Sequence, residues 1–243
     1  MRTVRVIGAG RAGRSFAGAI DDLDDWDVID MRGRGVPVAD AASGVDLVLI
    51  ATPDSAIAGV AGAIDPGPAV IAHVAGSLGL AVLGDHERRA ALHPLMSLPD
   101  PEVGATRLVG GWFAVAGDSI VHDLAVALGG TTFTIADDDR ALYHAAAAVA
   151  SNHLVALLGH AARLGAASGV PADALLALAL GSAENAAALG PAAALTGPAA
   201  RGDDATIDAH LTAIAKRAPR ELAAYEALLI EARRLAAQGS GDG

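Results

Sequence analysis

The chain has 243 residues, a formal net charge of −11, no cysteine, and 53% hydrophobic but only 3% aromatic residues. That excludes disulfide and thiolate chemistry, and the absence of a basic stripe argues against a nucleic-acid surface. The core must be built from Ala, Val, Leu and Ile, and no membrane span is expected, because Asn152, His160, Pro191 and Pro198 cut the alanine-rich segments before about 20 residues.

In chain order, the first half alternates strand-like and helix-like segments. "VRVIGAG" is an apolar strand ending in glycines, and "AGRSFAGAIDDL" is the helix after it. This strand begins almost at Met1, so no signal peptide is expected and a cytoplasmic location follows as an expectation. "WDVIDMRG" is a second strand, and "VDLVLIATP" a third, apolar enough to be buried on both faces of a parallel sheet. "AVIAHVAG" is a fourth, and "GGWFAVAGD" and "GTTFTIAD" supply two more. The alternation predicts an α/β, doubly wound domain of Rossmann type. From Ala136 onward the pattern changes to Ala/Leu-rich helices, over roughly 138–168, 172–189, 204–218 and 219–238, with "GSGDG" as a frayed tail. The expected organisation is a dinucleotide-binding domain over 1–136 and an all-helical domain over 137–243.

The first strand runs into Gly8, Gly10 and Gly13, in the G-x-G-x-x-G spacing that opens a helix. Gly8 allows the tight turn, Gly10 lets the backbone approach a pyrophosphate, and Gly13 permits close helix–strand packing. Arg11 and Ala12 complete this phosphate loop. Asp30, at the end of the second strand, stands where an acid would hold a ribose 2′-hydroxyl, yet Arg32 and Arg34 follow at once and suit a 2′-phosphate. NADP is the expected cofactor, and NAD the alternative. Thr52, Pro53 and Asp54 end the third strand at the sheet's carboxyl edge and are expected at the cofactor, Asp54 serving equally as a helix cap.

Several segments together carry a family resemblance: "GAGRAG", "ATPDSAI", "HVAGS", "HPLMSLPDP", "YHAAAAVASNHL" and "LTGPAARGD". The chain resembles uncharacterised bacterial oxidoreductases with a Rossmann-like domain and a helical domain of unknown function. That group is similar to the pyrroline-5-carboxylate reductase, ketopantoate reductase and 6-phosphogluconate dehydrogenase superfamily. The resemblance implies NADP binding, a cleft between the domains and a homodimer through the helical domain; a positive mean hydropathy also hints at an oligomer. Two departures stand out. The group's His-Thr-Ser-Gly is here His73-Val74-Ala75-Gly76, which leaves Ser77 as the local hydroxyl. The position four before Asn152, where the hydroxyacid-dehydrogenase relatives keep a catalytic lysine, is Ala148.

The helix "YHAAAAVASNHL" places His144, Ser151 and Asn152 on one stripe at 100° per residue, with His153 turned away. Hydride transfer to C=O or C=N leaves negative charge on the acceptor atom, which calls for a proton donor and hydrogen-bond donors. His144 is the expected acid, Ser151 and Asn152 orient the acceptor, and His93, in a rigid loop, is the rival acid. Arg201 suits a substrate carboxylate, while Asp203 or Asp204 caps the helix that follows. No metal site is expected. The expected function is NADP-dependent reduction of a small carboxylate-bearing carbonyl or imine, with a ketopantoate-like 2-oxoacid tried first. The alternatives are a non-catalytic dinucleotide sensor and a deazaflavin-linked NADP oxidoreductase.

Overall fold

The computed structural model describes residues 1–239 and forms two compact units, Met1–Ser151 and Asn152–Gly243. The division falls fifteen residues or so beyond the composition change at Ala136, because the first turns of the next helix pack with the sheet unit. All of "GSGDG" except Gly239 lies outside the described residues.

The first unit contains β1 (Arg2–Ile7), α1 (Arg11–Asp21), β2 (Trp26–Arg32), β3 (Leu47–Ile50), α2 (Asp54–Gly62), β4 (Val70–His73), β5 (Arg89–Pro94), α3 (Pro101–Leu108), β6 (Trp112–Gly117), α4 (Ile120–Ala127), β7 (Thr131–Thr134) and α5 (Arg140–Ala148). Its seven strands form one sheet in the order β2-β1-β3-β4-β5-β6-β7. All neighbours pair parallel except β5 with β6. One face buries Val4, Val6, Phe16, Leu47, Leu49 and Leu92. The other buries Ile7, Val48, Ile50, Ile57, Ile71 and Leu83. Both faces of β3 are thus covered, which is why its sequence is an unbroken apolar run. Helix α3 begins where Asp100 accepts a hydrogen bond from the Val103 N–H at 2.9 Å, with Pro101 in the first turn.

The expectation of six strands misses β5. "RAALHP" is short, and its Arg and His ends hide a buried Ala-Ala-Leu centre that has no β-branched residue. As a result His93 sits within a strand, not in the loop expected from the His-Pro pair.

The second unit holds α6 (Leu154–Ser168), α7 (Ala172–Leu189), two single turns α8 (Pro191–Ala194) and α9 (Pro198–Arg201), α10 (Asp204–Arg217) and α11 (Leu222–Gly239). Gly169, at φ +82°, ends α6 in the left-handed conformation that glycine adopts without penalty. Asp203 caps α10 by accepting from the Thr206 N–H at 3.1 Å. The unit is tied internally by buried His160, whose Nδ1 lies 2.7 Å from Glu221 Oε2, while Arg163 forks onto the same carboxylate at 2.8 and 2.9 Å. The Arg163 guanidinium, and then His160, hold Glu221 down at about 2.

Composition also misleads about length. The helical stretch Asp137–Ser168 and α7 are each long and apolar enough to cross a membrane, and the apolar windows of both are unburied within the chain. The polar residues expected to interrupt them are too few to lower the average.

Candidate functional site

The carboxyl ends of β1, β3, β4 and β5 share one edge of the sheet, and the site is built there. Between β1 and β3 the strand order reverses, which opens a crevice for ligands. Gly8 follows β1 at φ +116°, where a Cβ would lie 2.5 Å from the Ala51 carbonyl oxygen that follows β3. A Cβ on Gly13 would overlap the Gly8 carbonyl, whereas one on Gly10 would meet nothing within 4 Å. Gly10 is also the N-cap of α1 and offers no side-chain cap. The crevice is therefore tight where the backbone turns and open where the helix presents its first N–H groups, as a pyrophosphate requires. Arg11 is exposed and Ala12 half-buried at that end. These residues fit a dinucleotide.

The loop after β3 contributes Thr52, whose buried hydroxyl has no hydrogen-bond partner. Pro53 is the N-cap of α2. Asp54 is consequently a first-turn acid rather than the cap, and it accepts a hydrogen bond from Ser77 Oγ at 2.8 Å, joining the loops after β3 and β4.

At the end of β4, His73 is fully buried. Its Nδ1 accepts from the Ala75 N–H at 3.2 Å, so the neutral ring carries its proton on Nε2. Nε2 approaches the Gly79 backbone without reaching hydrogen-bond geometry. Burial, and then the Arg140 guanidinium, lower the pKa of His73. Arg140 is 1% exposed; its Nε donates to Asp137 Oδ1 at 2.8 Å, and its Nη1 has no partner. Among the described residues, Thr52, His73 and Arg140 supply all the buried side-chain polar atoms without a hydrogen bond. Each such atom costs about 1–3 kcal/mol, so their gathering at one edge points to a site shaped for something other than stability.

His93, near the end of β5, places its Nδ1 2.6 Å from the Tyr143 hydroxyl on α5. The two rings meet edge-on at 5.5 Å, and His144 also meets His93 edge-on with ring centroids 6.2 Å apart. Both histidines close over Gly76, where a Cβ would lie 2.8 Å from His93 Nε2 and 3.0 Å from His144 Cδ2. Burial, and then His144, push the His93 pKa down to about 4, so its imidazole is neutral at pH 7. Burial raises the pKa of Tyr143. The sequence singled out His144 and His93 separately. It missed Tyr143, which differs from any helical tyrosine only by adjoining His144.

The other expected residues have their own local surroundings. Val149–His153 forms a π-helical turn, whose wider spacing invalidates a 100° projection from His144 to Ser151 and Asn152. Ser151 Oγ donates to the Ala147 carbonyl at 2.7 Å, and Asn152 opens the helical unit. Arg201, in that same unit, is mostly exposed and lies 3.9 Å from Asp203. Arg32 is buried and clasped by Asp40 at 2.6 and 3.3 Å, which raises its already high pKa. Only Arg34 of that pair is exposed and without a partner among the described residues.

Comparison with known proteins places this architecture. The model of a domain of unknown function, DUF2520, matches residues 113–231. The DUF2520 match begins in β6 and ends in α11, so it joins the antiparallel edge of the sheet to the helical unit. No curated protein sequence matches the chain. Solved structures are similar over nearly its full length. A candidate NADP oxidoreductase of Bacteroides fragilis superposes with a TM-score of 0.77 at 21% identity, covering 96% of this chain and 98% of that one. The protein TM1727 of Thermotoga maritima gives 0.75 at 24% identity, covering 97% and 98%. The pyrroline carboxylate reductase of Plasmodium falciparum, solved with NADP bound, gives 0.61 at 14% identity, covering 97% and 98%. At these identities the likeness is one of fold: a Rossmann-type sheet followed by a helical region.

Proposed function

We propose that the chain is an NADP-dependent oxidoreductase that reduces the C=O or C=N of a small carboxylate-bearing substrate, with a ketopantoate-like 2-oxoacid as the first candidate. The observation that carries this reading is the pairing, on one sheet edge, of an uncapped glycine cradle with a neutral histidine bonded to Tyr143. The names of the similar structures, one of them solved with NADP, support it.

In this reading Gly8, Gly10, Ala12 and Gly13 hold the pyrophosphate against α1, Arg11 and Arg34 face the adenosine end, and Thr52, Pro53 and Asp54 border the path toward β4. The bound cofactor supplies a hydride. The chain supplies the proton and the field that stabilises developing charge. With Tyr143 donating its O–H to His93 Nδ1, the neutral His93 keeps its proton on Nε2, the atom that faces Gly76. A neutral imidazole N–H is a hydrogen-bond donor suited to polarising a carbonyl or imine. His144 is exposed and delivers a proton to the acceptor atom. Ser151, Asn152 and Arg201 keep their expected substrate roles only as part of this proposal, and a homodimer through the helical unit belongs to it as well.

The test is a calorimetric titration of the purified chain with NADPH and, separately, NADH. Tight binding of NADPH is expected; binding of neither dinucleotide rejects the reading. A second expectation concerns Gly76→Ala. The added methyl meets the His93 ring at 2.8 Å and must displace it, because Tyr143 fixes its other edge. We expect kcat to fall about tenfold or more with dinucleotide affinity unchanged. Steady-state kinetics beside the same titration would check this, and an unaltered kcat would remove His93 from the mechanism.

A further inference from the structure

Strand β2 does not run in simple register beside β1. Val4 pairs with Val28, but Arg5 pairs with Asp30, so Ile29 is an extra residue, a bulge in a parallel pair. Bulges are rare in parallel pairs and re-aim the side chains that follow. Here the bulge puts Asp30 on the same face as Arg5, with Arg32 two residues further on that face. Without it Asp30 would stand opposite Val6 and face the other way.

The consequence is a closed ion-pair cluster. Arg5 is 7% exposed, and its Nε donates to Asp30 Oδ1 at 2.5 Å. Arg32 Nε donates to the other carboxylate oxygen, Oδ2, at 3.3 Å. Arg5 is itself fixed, since its Nη1 donates to the Ala41 and Ser43 carbonyls at 2.6 and 3.0 Å. Both oxygens of Asp30 are therefore engaged, although its side chain is 40% exposed, and two guanidinium groups, one of them shared with Asp40, offset its charge. A ribose hydroxyl donates to a carboxylate in NAD sites, whereas a 2′-phosphate is repelled by one. A carboxylate held this way is turned toward Arg5 and Arg32 and repels a 2′-phosphate less.

We infer that cofactor choice is set from beneath the site: Arg5, buried on β1, acts as a positioning residue that withdraws Asp30 from the adenosine ribose and so admits the 2′-phosphorylated dinucleotide. Arg34, just after β2, is then left as an exposed cation. The inference rests on the NADP reading above and adds to it the residue that enforces selectivity without touching the cofactor.

Affinities for NADPH and NADH are measured by calorimetry on the full chain, on Asp30→Asn, on Arg5→Met and on the double variant, each first shown to be folded by circular dichroism. Asp30→Asn alone is expected to leave NADH affinity within about twofold, because Asp30 makes no ribose contact. Arg5→Met is expected to shift the NADH-to-NADPH affinity ratio about tenfold toward NADH, and Asp30→Asn in that background to cancel the shift. A merely structural role for Arg5 would weaken both dinucleotides together and leave the ratio alone. A tenfold loss of NADH affinity in Asp30→Asn, or an unchanged ratio in folded Arg5→Met, overturns the inference. If Arg5→Met does not fold, the Asp30→Asn arm decides by itself. A wild-type chain that prefers NADH overturns the inference but not the dinucleotide site, whereas one that binds neither dinucleotide removes the reading on which both stand.

Discussion

Replacing His144 with glutamine is expected to lower kcat about 10²-fold or more while leaving KM within a small factor. Glutamine keeps the bulk and a hydrogen-bond donor but cannot deliver a proton at neutral pH. Tyr143→Phe should cost less, about tenfold, because it removes only the hydroxyl that fixes the orientation of His93. The pair of variants separates delivering a proton from positioning a donor. An unchanged kcat in His144→Gln would end its role as the acid, and equal losses in both would make Tyr143 more than a support.

His93 carries a separate signature in the pH dependence of stability. Its pKa of about 4 lies below the ordinary value of 6.5, so between those values the unfolded chain binds the proton and the folded chain does not. The stabilisation is complete above pH 6.5 and is lost as pH falls through about 4, at most about 3 kcal/mol in all. In His93→Gln that part of the loss should vanish from denaturant titrations across the same interval.

Much of this fold is legible in residue patterns, and the misses share a physical cause. β3 is recognisable because a strand covered on both faces must be apolar throughout, and α7 because its bounds coincide with Pro171 and Gly190. β5 is not, because half of what defines it is pairing to its neighbours, which no local pattern records. The glycine cradle is legible because backbone geometry forces residue identity at Gly8 and Gly13. The His93–Tyr143 bond is not, because it joins positions fifty residues apart. Arg32 looks free in the sequence and is buried, since neither the bulge at Ile29 nor the approach of Asp40 leaves a local trace. Spacing thus reveals what the backbone demands and conceals what side chains from distant segments do to each other.

The helical unit raises a demand that its own residues do not meet. None of the eighteen residues of α7 is buried, and Leu178 and Leu180 are each 67% exposed. Val155 on α6 and Ile230 on α11 are as open. Apolar patches of this kind mark interaction surfaces. Two occupants fit their chemistry: a second copy of the chain, as the homodimer reading holds, or lipid, which the length and hydropathy of the helices also allow. A second copy is the better match to a chain whose other unit carries the glycine cradle proposed for a dinucleotide. Leu176 and Leu180 are four residues apart and share a face of α7. Changing both to glutamate places two carboxylates where a dimer would desolvate them, and we expect the dimer dissociation constant to rise about 10³-fold or more. Light scattering after gel filtration without detergent should then give twice the chain mass for the wild type and the single-chain mass for the double variant. A wild type that is monomeric without detergent, or that enters solution only with it, would assign this face to another occupant.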